Sequence, residues 1–111
     1  NGCVLISEGA NMPTTRDAAN IIVDSEMAYG PAKAANAGGV ATSQLEMAQN
    51  ASMQNWTFEQ VDSQLQTIMK NIFINANETS REFGQPGNLV LGANIAGFRR
   101  VADAMIEQGI V

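Results

Sequence analysis

The spacing of apolar positions changes along the chain, and each change marks an element. Residues 3–7, Cys-Val-Leu-Ile-Ser, form a short continuous apolar run, the pattern of a strand buried on both faces in a parallel sheet. With Asn1-Gly2 ahead of it, this reads as a strand entered partway, so we expect a piece of a longer protein. The run breaks at Glu8-Gly-Ala-Asn-Met-Pro-Thr-Thr15, where Pro13 suits a first helical turn and Thr14 or Thr15 can cap it. A short helix through Ala18, Ala19 and Asn20 follows. A second, weaker run, Ile21-Ile22-Val23, supplies the next strand, and Met27-Ala28-Tyr29 closes it at Gly30-Pro31.

From Asn36 the period becomes helical. One helix is predicted to about Met53, with Val40, Leu45, Ala48 and Ala51 on its buried side. Thr57 then offers an N-cap with Gln60 at N3, a capping box, and Trp56 can staple onto Val61. Phe58, Val61, Leu65, Ile68, Met69, Ile72, Phe73 and Ala76 recur at three- and four-residue steps, and Gly84 with Pro86 ends that helix. We read it as scaffold. The last segment, Asn88 to Val111, repeats the helical spacing through Leu91, Ile95, Phe98, Val101, Ala102, Met105 and Ile106, with Gly109 as its cap. Gly92, Ala93, Ala96 and Gly97 give it a face of small residues against which another element should press, and Arg99 with Arg100 reads as a solvated edge.

The fold class expected is α/β and helix-dominated, an open parallel sheet of two short strands followed by three longer helices. In such sheets ligands sit outside the carboxyl ends of the strands, so residues 8–15 and 30–36 should border a site.

One stretch carries candidate chemistry. Lys33-Ala-Ala-Asn-Ala-Gly-Gly-Val-Ala-Thr-Ser43 places two glycines in the first turns of a helix, where each costs about 1 kcal/mol relative to alanine. Either a ligand approaches the backbone there, using helix-start N–H groups that suit an anion or a carboxamide oxygen, or the helix packs closely on a neighbour. On spacing alone close packing is the commoner case. Lys33 carries no assigned chemistry.

Composition narrows the possibilities. Charged residues make up 15% of the 111 positions, against about 25% in an average soluble domain. Between Glu26 and Glu59 only Lys33 and Glu46 are charged, so that stretch should lie against ligand or other protein. A net charge of −5 argues against nucleic acid and against an anionic membrane surface as partners. The single Cys3 fits a reducing cytoplasm. With no histidine, a Ser-His-Asp triad and a His-ligated metal are outside this sequence, and no metal site is expected.

In order along the chain, Glu8-Gly-Ala-Asn-Met-Pro-Thr-Thr15, the Lys33–Ser43 stretch with Leu45-Glu-Met-Ala-Gln-Asn50, Trp56-Thr57, and Gly92-Ala-Asn-Ile-Ala-Gly-Phe98 through Val101-Ala-Asp-Ala-Met105 resemble the C-terminal part of the hexameric glutamate dehydrogenases. Ala32 departs from the pattern, since these enzymes often carry Gly in a Pro-Gly-Lys turn. The resemblance implies that the whole protein reversibly deaminates L-glutamate to 2-oxoglutarate and ammonia with NAD or NADP, as a cytoplasmic hexamer. It implies substrate contacts at Val40 and Ser43, and a place at the nicotinamide end of the coenzyme for Asn11 and Asn36. It implies that residues 1–86 are the C-terminal portion of a Rossmann-like dinucleotide-binding domain, the NAD(P)-binding domain, and that 87–111 form a helix returning to the substrate domain. The family's catalytic lysine and its Gly-x-Gly-x-x-Gly loop lie upstream, so these 111 residues alone are expected to be inactive, with no catalytic residue of their own. A dehydrogenase of another amino acid, or a non-catalytic helical interaction module, are the alternatives.

Overall fold

The computed structural model describes residues 2–25 and 27–109. The strand entry at Asn1 and the end of the last segment at Ile110 and Val111 lie outside the described residues. Among those described, the order is β1 (Leu5–Ser7), α1 (Arg16–Val23), β2 (Ala28–Gly30), α2 (Ala32–Ala35), α3 (Ala37–Ser52), α4 (Phe58–Glu82) and α5 (Leu89–Gln108).

The two strands pair in parallel, Leu5 with Ala28, Ile6 with Tyr29 and Ser7 with Gly30, so both end at the same edge. The helix between them starts where expected: Thr15 caps it, its hydroxyl accepting from the Ala18 N–H. Its end differs. Ile21, Ile22 and Val23, expected as strand, complete α1, because neither Gly nor Pro interrupts the chain before Asp24, whose N–H bonds back to the Asn20 carbonyl. Strand β2 takes only the later part of the predicted segment.

Burial of β1 on both faces is not found either: Val4 is 78% exposed and Leu5 59%. Two strands cannot cover each other's faces, and the helices that pack on the pair, α1 and α5, lie against β2 and bury Tyr29 rather than β1. The Cα radius of gyration is 16.5 Å, against about 13 Å for a compact domain of similar length, so several apolar faces stay open.

Helix α3 meets α4 along one narrow stripe. Gly38 faces Met69 and Leu65 of α4, where an added Cβ would lie 3.5 and 3.8 Å from their side chains. Ala41 and Leu45 continue the stripe at helical spacing and are buried. Val40, Ala48 and Ala51, expected inside, are exposed: Val40 sits one residue off the stripe, and the later turns of α3 run past α4 to end at Met53, in a left-handed conformation (φ 54°).

Helix α4 opens with the predicted capping box, Thr57 N–H to Gln60 Oε1 at 2.8 Å and Gln60 N–H to Thr57 Oγ1 at 3.3 Å. Val61, Leu65, Ile68, Met69 and Ile72 are half-buried and Ala76 is buried, whereas Phe58 and Phe73 point away and are exposed. The helix ends at Gly84 (φ 74°), whose N–H bonds to the Arg81 carbonyl.

Helix α5, capped by Asn88 onto the Leu91 N–H, folds back on α4. Its small-residue face closes at one point. Gly92 lies so near the α4 backbone that an added Cβ would fall 1.9 Å from the Ala76 carbonyl oxygen. Gly97, further along, has nothing within 4 Å of that position. Arg99 stands on an exposed edge as expected, and there its guanidinium forms a two-pronged pair with Glu82 (2.9 and 3.1 Å) and lies 5.6 Å over the Phe83 ring. Arg100 is exposed. Among the described residues no helix is long and apolar enough to cross a membrane.

Candidate functional site

Because β1 and β2 are parallel and in register, the segments that leave them, 8–15 and 31–36, emerge side by side. Asn36 joins the two. Its amide donates from Nδ2 to the Ala10 carbonyl at 3.1 Å, while its backbone sits between α2 and α3. Asn11 is the next residue along the first segment, exposed, and followed by Met12 in a left-handed conformation (φ 50°). A non-glycine residue held there costs about 1–2 kcal/mol, which a bond such as that from Asn36 helps to offset. The expected pair of asparagines is therefore brought to one edge.

The glycine pair splits its work. Gly38 packs on α4, and Gly39 faces open space on the other side of α3. Close packing accounts for Gly38, while Gly39 leaves its backbone open on the exposed face. Val40 (61% exposed) and Ser43 stand on the open side with Gly39, one helical turn apart. The Ser43 hydroxyl donates to the Gly39 carbonyl at 3.3 Å, within its own helix, a long bond that rotation of the hydroxyl would exchange for an acceptor on the open side. Lys33 is tied elsewhere, its Nζ donating to Asn94 Oδ1 of α5 at 2.7 Å.

The residue that sequence reasoning passed over is Glu8. It is the first residue after β1 and its side chain is buried, 7% exposed. Oε2 accepts the Ala32 N–H at 2.8 Å, at the first position of α2, where the chain carries Ala in place of the family's frequent Gly. Oε1 is buried with no hydrogen-bond partner among the described residues. The Thr14 hydroxyl beside the carboxyl, helped by that of Tyr29 and the Ala32 N–H and opposed by burial, holds Glu8 below the usual carboxylate range. Burial, then the same neighbouring carboxylate, pushes the Tyr29 hydroxyl up. These groups line a crevice of about 290 Å³, with Arg16 and Lys33 at its wall and Asn94 of α5 across it. The only sequence signal for Glu8 was its place at a strand end, because its partner lies 24 residues on.

These donors and acceptors could serve a carboxamide or a hydroxyl group of a ligand. Asn11 and Asn36 offer both hydrogen-bonding senses, as a carboxamide requires, and the buried Glu8 carboxyl belongs to a separate crevice that neither asparagine lines. The sequence has no Gly-x-Gly-x-x-Gly turn to cradle a pyrophosphate.

Residues 1–109 match the family model described as glutamate/leucine/phenylalanine/valine dehydrogenase. The chain is 57% identical over 110 residues to the NADP-specific glutamate dehydrogenase of Helicobacter pylori, covering 99% of this chain and 25% of that protein. Against the NADP-specific glutamate dehydrogenase of Escherichia coli it is 51% identical over 111 residues, 100% of this chain and 25% of the other. The crystal structure of Plasmodium falciparum glutamate dehydrogenase superposes with a TM-score of 0.94 at 52% identity, covering all of this chain and 24% of that one. The chain thus spans about a quarter of the length of the relatives it matches.

Proposed function

Because this chain belongs to the glutamate/leucine/phenylalanine/valine dehydrogenase family, we propose that it is the C-terminal part of an enzyme that reversibly deaminates L-glutamate to 2-oxoglutarate and ammonia. The observation that carries the proposal is the Asn36–Ala10 bond, which joins the two segments beyond the carboxyl ends of the parallel strands, beside the open face of Gly39, Val40 and Ser43.

NAD or NADP, when bound, supplies the hydride acceptor. The residues of this chain orient it and its substrate. Asn11 and Asn36 hold the nicotinamide end. Val40 lines the substrate pocket and Ser43 donates to the side-chain carboxylate of glutamate. Residues 1–86 complete a Rossmann-like coenzyme domain, and residues 87–111 carry the chain back to the substrate domain. The apolar outer face of α5, with Phe98, Val101 and Ile106 exposed, supports that second role. The whole enzyme is read as a cytoplasmic hexamer.

A dehydrogenase of another amino acid is disfavoured by Ser43, because an apolar substrate has no use for a hydroxyl at that place. The experiment is direct. Full-length protein carrying this segment should turn over glutamate with NAD or NADP, and Ser43→Ala should raise the glutamate KM or lower kcat. Unchanged values of both would remove the substrate assignment.

A further inference from the structure

We propose that Glu8 sets the preference of the site for oxidised over reduced coenzyme, by fixing a negative charge beside the place where Asn11 and Asn36 hold the nicotinamide ring. The inference rests on the functional reading above and goes beyond it, since it concerns a residue that touches neither substrate nor the reacting atoms.

The geometry puts the charge close to both asparagines. Glu8 bonds to the Ala32 N–H at 2.8 Å, and Asn36 follows Ala32 by one helical turn, about 6 Å of rise. Asn11 lies three residues beyond Glu8, a reach of at most about 11 Å. A ligand group between the asparagines is therefore within about 10 Å of the carboxylate.

The charge is also poorly compensated. Oε2 is satisfied, but Oε1 is buried without a partner, a costly state for an ionised oxygen. No cation forms an ion pair with it among the described residues. Arg16 of α1 and Lys33 of α2 line the same crevice, and Lys33 is committed to Asn94 on α5. The hydroxyls of Thr14 and Tyr29 keep the carboxyl ionised. No cation is bonded directly to this carboxylate among the described residues, and the oxidised nicotinamide ring carries a positive charge where the reduced ring carries none. A charge that senses this difference acts on the ratio of the two affinities. Loss of shape alone would weaken both together.

The test uses the full-length protein carrying this segment and direct binding of oxidised and reduced coenzyme, read by titration calorimetry. In Glu8→Gln, which keeps an acceptor for the Ala32 N–H and removes the charge, the ratio of Kd for oxidised to Kd for reduced coenzyme should rise about fivefold, a Coulombic effect at this range. Arg16→Gln removes an exposed positive charge from the same crevice wall and should move the ratio the other way. That second variant decides the matter if Glu8→Gln does not fold. Equal weakening of both forms in Glu8→Gln, or a ratio unmoved in Arg16→Gln, overturns the inference and leaves the functional reading standing. Failure of the unaltered protein to bind either form overturns both.

Discussion

Glu8 and Ala32, 24 residues apart in sequence, are joined by a buried carboxylate-to-amide hydrogen bond of 2.8 Å. The bond fastens the end of β1 to the start of α2, and the Thr14 hydroxyl first, then that of Tyr29 and the Ala32 N–H, favour the ionised carboxyl in the fold against the cost of burial. Its pKa is lowered in the fold, so the stabilisation is present above the unfolded value, about 4.3, and is lost as pH falls through the lower folded value. Melting temperatures taken from roughly pH 6 to pH 3 should fall less steeply in Glu8→Gln than in the parent protein. Parallel curves would separate Glu8 from acid stability.

Two glycines on one helix give opposite outcomes. Gly92→Ala forces a methyl group into the Ala76 carbonyl and should cost about 1–3 kcal/mol, with α5 exchanging its amide protons faster. Gly97→Ala meets open space in a helix interior and should add about 0.5–1 kcal/mol through helix propensity alone. Chemical denaturation of the two variants checks both signs.

Arg99 links α5 to the end of α4 through Glu82 and the Phe83 ring. Both charged groups face solvent, so the coupling between them in a double-mutant cycle should shrink as salt is raised. The pairing with Arg99 lowers the pKa of Glu82, so the coupling should also disappear as pH falls through that lowered value. Coupling that is insensitive to salt would point to contact with Phe83 as the stronger part.

Ser43 bonds only to a carbonyl of its own helix, so Ser43→Ala should leave the fold intact. A hydrogen bond to a charged group contributes about 1.5–3 kcal/mol, so kcat/KM for glutamate should drop about tenfold to a hundredfold. Steady-state kinetics beside a melting curve distinguishes this from unfolding.

The 111-residue chain by itself should show no glutamate-dependent reduction of NAD or NADP, since the sequence holds neither the family's lysine loop nor a pyrophosphate turn. Turnover by the purified chain would overturn the assignment of catalysis to residues outside it.

What the sequence made legible was local chemistry. Thr15, Thr57 with Gln60, and Gly84 mark helix ends through groups within a few residues of one another, and each does in the structure what its type dictates. The parallel pairing that brings both strand ends to one edge was legible too, because it follows from short apolar runs separated by a helix. What failed depends on what lies opposite. Val40 and Leu45 are equally apolar, and only the position of α4 makes one exposed and the other buried. Ile21–Val23 could satisfy a strand or a helix, and an intact α1 cap decided for the helix.

Of the site, Asn36 and Ser43 could be picked out by type and spacing, with the resemblance supplying their roles. Glu8 could not. A carboxylate at a strand end looks like any solvated charge until the fold brings Ala32 to it. The exposure of Arg99 was legible, but its pairing was not, the partner being on the preceding helix.

The closeness of Gly92 to the Ala76 carbonyl has a mechanical consequence. It gives α5 a fulcrum near one end, with nothing comparable at Gly97. From Gly92 to Gln108 the lever arm is about 24 Å at 1.5 Å per residue. A tilt of about 5° about that point sweeps the far end through about 2 Å, enough to slide apolar side chains past whatever they rest on. Small adjustments where the two helices touch are thus magnified where the exposed Phe98–Ile106 face ends.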